Sequence, residues 1–551
     1  QTNRDLEQEV AERQQAETAL QESEARFRSY FELPLTGRAI TSPDKGWIDV
    51  NASRCEMLAD RSAELIQLTW AEPAAWDGVR EATKFGAACM QPKPRAASIY
   101  AGDMPAMSED CLSLNIWAPK DARGAPVFLW IHGGSLMAGS GAEPLYDGSA
   151  LAKRGLVVVS INYRLGALGY LAHPELSAES PDQVSGNYGL LDQIAALEWV
   201  KRNIGAFGGN DGNVTIAGES AGALSVMYLM AAPKARGLFH KAIAQSAYMV
   251  SASGLSAAIN GMVPAEEQGR GLAAKLGATD LAALRALPAE EIASKAPATG
   301  FFPFPTIDGK VVPRQLVETF DKGEQAPVPI LAGFNSGEIR SLRFLLPKAP
   351  ADAATYEAAI RAGYGELANL FLARYPAKTI DESMLAATRD AMYGWTSERL
   401  VSNQSALGQR SYYYLFDHGY PATQEWNLHA FHAAELPYVF GTATRTPPLW
   451  PKIPDTLAEK RLSEAMTDYW ASFSATGTPR AKDQPDWPDY ADKRGVMRFA
   501  GQPRAGHNLF PGVSALHEAV VCRRRAAGDI PWNWNIGVIS PPLPPKVAGC
   551  Q

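Results

Sequence analysis

From about residue 126 onward, short apolar runs alternate with apolar stripes of helical period. PVFLWIH (126–132), LVVVSIN (156–162) and NVTIAG (213–218) are continuous and rich in β-branched residues. Such runs suit strands covered on both faces, because a half-exposed strand would alternate apolar with polar positions. Residues 187–204 place Leu190, Leu191, Ile194, Leu197 and Val200 on one stripe, and AGALSVMYLM (221–230) supplies a second apolar helix. VPILAGF (328–334) and SYYYLF (411–416) are further strand candidates, and the Pro-rich tail after Ala526 looks irregular. Strands alternating with helices predict an α/β fold built on a doubly wound, mostly parallel sheet flanked by helices.

The first part of the chain has a different texture. Residues 3–28 lack Gly and Pro, are rich in Glu, Gln, Arg and Ala, and carry Leu6, Val10, Ala16, Leu20 and Phe27 at irregular spacing. This predicts a solvated helix, with dimerisation through it as the alternative. The following segment, with FRSYFE (27–32), SPDKGWIDVN (42–51) and a helical stretch ending near Trp70, resembles the first half of a PAS sensor domain. The expected division is a charged helix over 1–28, a partial PAS-like segment over 29–72, the α/β domain over 73–520 and an irregular tail over 521–551.

Composition narrows the function. The 551 residues are 46% hydrophobic and 20% charged, as expected of a packed globular body. A formal net charge of -7 argues against a nucleic-acid partner, since phosphate binding needs a clustered basic surface. The longest apolar runs fall short of the roughly 18 residues a membrane-spanning helix needs. Five cysteines without a CxxC pair suggest no zinc site. No secretory signal is legible in residues 1–24, so the compartment stays open.

The chemistry-bearing motif is Gly218-Glu219-Ser220-Ala221-Gly222, between the NVTIAG strand and the following helix. That strand-turn-helix setting is what a GxSxG nucleophile elbow requires. Glycine is expected at 218 and 222 because larger side chains would collide with the serine in so tight a turn. A serine hydroxyl is a poor nucleophile at neutral pH, so an imidazole must take its proton and a carboxylate must orient the imidazole. After Ser220 the histidines are His240, His418, His429, His432, His507 and His517.

SEDCLSLNIWAP, HGGSLMAGSG, INYRLGALGYL, SGNYGLLDQIAALEWVKRNIGAFGG and NVTIAGESAG are together similar to the type-B carboxylesterase and cholinesterase family, over roughly residues 73–520. The resemblance implies an α/β-hydrolase fold. It implies Ser220 as nucleophile, His432 of AFHAAELPYVFG as general base, and Glu338 of GFNSGEIRS as the orienting acid, with Ile339 where glycine is commoner. A surface glutamate pairing with Arg340 is the competing reading of Glu338, and Asp308 is the backup acid. The family register also implies an oxyanion hole from the N–H groups of Gly134, Ser135 and Ala221, with Ser135 in place of a third glycine and His132 as scaffold.

The same resemblance implies a Cys89–Cys111 disulfide, which leans the localisation toward a secreted or periplasmic setting. Cys522 and Cys550 are left open between a pair and free thiols, with Cys55 over. Arg164 and Asp192 resemble the family's buried ion pair. The family's GIPYA stretch is absent, which leaves Glu109 in need of another partner. The loop between Cys89 and Cys111 contains no Trp, which counts against choline esters. FFPFP (301–305) is either an acyl wall or core packing. The expected function is a serine carboxylesterase cleaving small neutral aryl or short-chain alkyl esters through an acyl-Ser220 intermediate, with no cofactor and no metal. The alternative is a non-catalytic binding or sensory protein using the hydrolase fold as an interaction module.

Overall fold

The computed structural model describes the backbone of residues 39–41 and 48–50, then Trp70, Ala82 and residues 84–550 apart from 94–97 and 534–535. In chain order the strands are β1 (Ala39–Thr41), β2 (Ile48–Val50), β3 (Ala88–Cys89), β4 (Met107–Ser108), β5 (Leu114–Trp117), β6 (Ala125–Ile131) and β7 (Val157–Ile161). They continue as β8 (Gly209–Glu219), β9 (Lys241–Gln245), β10 (Ile330–Asn335), β11 (Ser411–Phe416), β12 (Gly495–Phe499) and β13 (Pro503–His507). Nine of them form one sheet in the order β13-β12-β11-β10-β9-β8-β6-β7-β5. Every pairing from β7 to β12 is parallel, and the two edge pairings, β5 with β7 and β12 with β13, are antiparallel.

The apolar runs become strands because both of their faces are covered. Along β6, Val127, Leu129 and Ile131 join one core while Phe128 and Trp130 join the other; along β11, Tyr413 and Leu415 alternate with Tyr412, Tyr414 and Phe416 in the same way. The helices Tyr188–Asn203 and Ala221–Ala231 cover the first face through Ile194, Leu197 and Met227. The helix Leu457–Thr476 covers the second through Met466, Trp470 and Phe473. Asp192 of the first helix takes Arg164 in a two-pronged ion pair, Nε to Oδ2 at 2.8 Å and NH2 to Oδ1 at 2.6 Å, and fixes that helix against the loop after β7.

The chain visits β7 before crossing over β6 to β8, so the strand order reverses at β6. Loops leaving the carboxyl ends of β6 and β8 therefore diverge there and leave a crevice, which is where open α/β sheets collect their site residues.

Both Cys89–Cys111 and Cys522–Cys550 are disulfide-bonded. Cys522 lies on a helix, Val513–Ala527, which runs through residue 520, where the sequence reading ended the α/β domain; beyond it, the described residues of the tail include a short helical turn at Gly537–Ile539. β1 pairs antiparallel with β2 in the register Ala39↔Val50. The N-terminal helix, Cys55 and, apart from β1, β2 and Trp70, the PAS-like segment lie outside the described residues. Glu109 is engaged in the structure despite the missing GIPYA stretch. Among the described residues no helix is long and apolar enough to cross a membrane.

Candidate active site

Five neighbouring parallel strands, β6, β8, β9, β10 and β11, lead from their carboxyl ends into the segments that carry the site residues. After β8 comes Ser220, 9% exposed, at φ 57° and ψ -121°. This sparsely populated conformation is imposed by the turn, and it lifts the side chain off the sheet. The glycines on either side are required, though not by collision with the serine. A Cβ on Gly218 would lie 2.4 Å from the Gly222 carbonyl carbon, and one on Gly222 would lie 2.0 Å from the Ile131 carbonyl oxygen of β6. The elbow is thus pressed against its own neighbour strand.

After β10 comes Glu338, wholly buried. Its Oε2 meets His432 Nδ1, and its Oε1 accepts from the Ser246 hydroxyl at 2.6 Å and the Asn335 N–H at 2.8 Å. The carboxylate is thereby fixed at both oxygens. Arg340 turns away to Glu382 at 2.6 Å, so the surface-pair reading of Glu338 is not what the structure holds. Ile339, at the position where glycine is commoner, is 1% exposed and fills the core beneath the loop. The loop carrying His432 is tied to the acid loop by Gly337 N–H to Ala430 O at 2.8 Å and Asn335 Nδ2 to Phe431 O at 2.8 Å.

The far side of the imidazole faces Glu219: Nε2 lies 3.1 Å from Oε1, an oxygen with no hydrogen-bond partner, so the approach is electrostatic. No hydrogen bond joins Ser220 to His432 among the described residues in this state. Catalytic bonds of this kind often tighten only around substrate. Burial pulls the imidazolium down, but Glu219 and Glu338 outweigh it and push His432 up to about 9. Burial likewise raises Glu219.

After β6, the loop His132–Gly133–Gly134–Ser135 curls back through φ 101° at Gly134, 59° at Ser135 and 57° at Leu136. Gly134 and Ser135 are exposed. Among the described residues neither N–H is donated to a protein acceptor, and the N–H of Ala221 opens a helix, where no intrahelical acceptor exists. His132 is buried, stacked on Tyr163 with ring centroids 4.6 Å apart, and stands outside the Glu338–His432 contact. Asp308 is held by Asn187 Nδ2 at 2.9 Å and by the N–H groups of Lys310 and Val312, and builds a turn. His429 bonds to Asn427 at 3.1 Å rather than to the acid.

Sequence reasoning missed the layer behind these residues. Ser246, in the left-handed region at φ 50°, follows β9 and holds Glu338. Glu435 is buried between Gln245 Nε2 at 2.8 Å and Asn335 Nδ2 at 2.6 Å. Tyr393 lies 5.4 Å from the His432 ring, on a single π-helical turn, Asp390–Gly394. No local motif marks these positions; only the order of the strands brings them together. In FFPFP, Phe301 is buried and Phe304 meets Tyr228 edge-on at 6.3 Å, which is core packing, while Phe302 is 74% exposed.

The Carboxylesterase family model matches residues 67–512, so residues 29–66 of the PAS-like segment lie outside it. The chain is 36% identical over 468 residues to the fumonisin B1 esterase of Sphingopyxis macrogoltabida, covering 81% of this chain and 83% of that one. It is 36% identical over 430 residues to the para-nitrobenzyl esterase of Bacillus subtilis, covering 76% and 85%. A solved PNB esterase structure superposes with a TM-score of 0.68 at 32% identity, covering 81% of this chain and 90% of that one.

Proposed function

The chain belongs to the carboxylesterase family and is a carboxylic-ester hydrolase, and from that premise we propose that it works through an acyl-Ser220 intermediate, with His432 as base and Glu338 as orienting acid. The observation that carries this is the buried His432–Glu338 contact at the same sheet edge as the strained Ser220. Ser220 Oγ attacks the ester carbonyl as His432 takes its proton. The negative charge that develops on the carbonyl oxygen meets the free N–H groups of Gly134, Ser135 and Ala221, each such donor contributing roughly a hundred- to a thousandfold in rate. His432 then returns the proton to the departing alcohol, and water repeats the sequence on the acyl-serine. Glu338, fixed at both oxygens, holds the imidazole in the tautomer whose Nε2 is the base.

Small neutral aryl or short-chain alkyl esters are the proposed substrates. The para-nitrobenzyl esterase among the relatives supports an aromatic alcohol group. The Ser220 elbow and the esterases among the relatives speak against the reading as a non-catalytic interaction module.

The test is p-nitrophenyl butyrate turnover by wild type and Ser220→Ala. Wild-type turnover that falls by about a millionfold in the variant, with an unchanged melting temperature, is expected. Full turnover by a correctly folded Ser220→Ala protein overturns the nucleophile.

A further inference from the structure

The loop closed by Cys89–Cys111 touches both arms of the site, although it contributes nothing to the reaction as proposed. Its Gln91 clasps Gly139, at the end of the oxyanion loop, with Gly139 N–H to Oε1 at 2.9 Å and Nε2 to Gly139 O at 3.0 Å. Asn162 fixes both feet of the loop through Nδ2, to Ala87 O at 2.9 Å and Cys111 O at 3.1 Å. From its middle, Tyr100 reaches across to the histidine. Its hydroxyl proton is shared between the backbone carbonyl of His432 at 3.0 Å and Ser341 Oγ at 2.7 Å, three residues beyond Glu338. The ring is held edge-on by Trp450 at 6.0 Å and flanked by Phe431 at 6.4 Å, and Trp450 packs on Phe431 at 4.8 Å.

We propose that Tyr100 is a positioning residue for the esterase, holding the backbone of His432 so that Nε2 addresses Ser220; this rests on the His432 role proposed above. The imidazole is already anchored at Nδ1 by Glu338, but a ring pinned at one atom can still swing about that bond. Fixing the carbonyl of the same residue removes that freedom. The phenol can serve only as a donor to that carbonyl, and burial keeps it protonated far above its ordinary range. Ala433, next in the chain, sits at φ 66°, so the peptide after His432 runs through a strained turn that needs an outside hold.

Tyr100→Phe keeps the ring and its aromatic neighbours while removing the hydroxyl. The experiment is stopped-flow acylation with p-nitrophenyl acetate, reading burst amplitude and burst rate separately. The proposal expects the amplitude per mole of protein, KM and melting temperature to stay near wild type, and the acylation rate to fall about tenfold or more, as a small misplacement of a reacting group does. An unchanged burst rate overturns it, as does a lost amplitude with an unchanged rate, which is the mark of a purely structural residue. Ser341→Ala is the second variant: it leaves the Tyr100 proton wholly to the His432 carbonyl and is expected to acylate as wild type. A loss equal to that of Tyr100→Phe would route the effect through the acid loop and overturn the assignment. A wild type that turns substrate over yet is not labelled at Ser220 by a fluorophosphonate would overturn the acyl-serine step of the proposed function, and would be seen before either variant is made.

Discussion

Between two carboxylates, His432 does not titrate as an ordinary histidine. Burial lowers its proton affinity, but Glu219 beyond Nε2 and Glu338 at Nδ1 together raise it. As the proposed base, His432 works only when neutral, so a raised value moves the rising limb of the kcat/KM profile toward alkaline pH. Glu219→Gln removes one negative neighbour, and the limb is expected to move about one unit toward acid. A pH profile of p-nitrophenyl butyrate hydrolysis checks this, and an unmoved or alkaline-shifted limb would show that Glu219 does not act on His432. Ser220, Glu338 and His432, the triad proposed above, could be singled out in the sequence because each sits in a motif with a characteristic setting. Ser246 and Glu435 were not, because a lone serine after a strand and a glutamate three residues beyond the histidine become site residues only through contacts 92 and 190 positions away.

Among elements, what could be read followed burial on two faces. β6, β7, β10, β11 and the second half of β8 announce themselves as largely apolar runs because they are buried on both faces. β9 begins with Lys241 and is only five residues long, while β12 and β13 carry exposed positions near one edge. Nothing in such short mixed stretches separates strand from loop. The elbow shows the converse, a local rule whose physical basis lies in a neighbouring element. The GxSxG pattern was read as sparing the serine, yet the closest approach of Gly222 is to the Ile131 carbonyl of β6. Gly222→Ala is therefore expected to push β6 and the elbow helix apart. Overpacking of this kind costs about 1–3 kcal/mol, so both melting temperature and esterase activity should fall. A variant with wild-type stability and activity would mean that the strand and helix yield freely at this point.

For the molecule as a whole, the open question is where the catalytic body begins. The sequence reading started it at residue 73, where the PAS-like texture gives way, but the family match starts at 67 and the structure supplies a reason to include the difference. Trp70 is 3% exposed, its indole N–H donates to Ala167 O at 2.8 Å, and it belongs to one buried cluster with Leu168, Leu171, Leu176, Leu272, Leu281 and Leu284. A chain cut at 73 would leave a tryptophan-sized hole there and leave the Ala167 carbonyl with the Leu171 N–H alone. Composition could not reveal this, because one aromatic residue inside a polar segment looks alike whether it packs on its own neighbours or on a body a hundred residues away. Trp70→Ala in the full chain is expected to cost about 3–5 kcal/mol, as other buried Trp→Ala changes do. Trp70 belongs to a buried cluster distinct from those on the two faces of the central sheet, so the folded fraction is expected to keep its rate per active site. Thermal melts paired with burst titration separate the two quantities. A truncation beginning at 65 should match the full chain while one beginning at 73 melts like Trp70→Ala; if both truncations melt alike, the anchor is not what joins the N-terminal segment to the catalytic body.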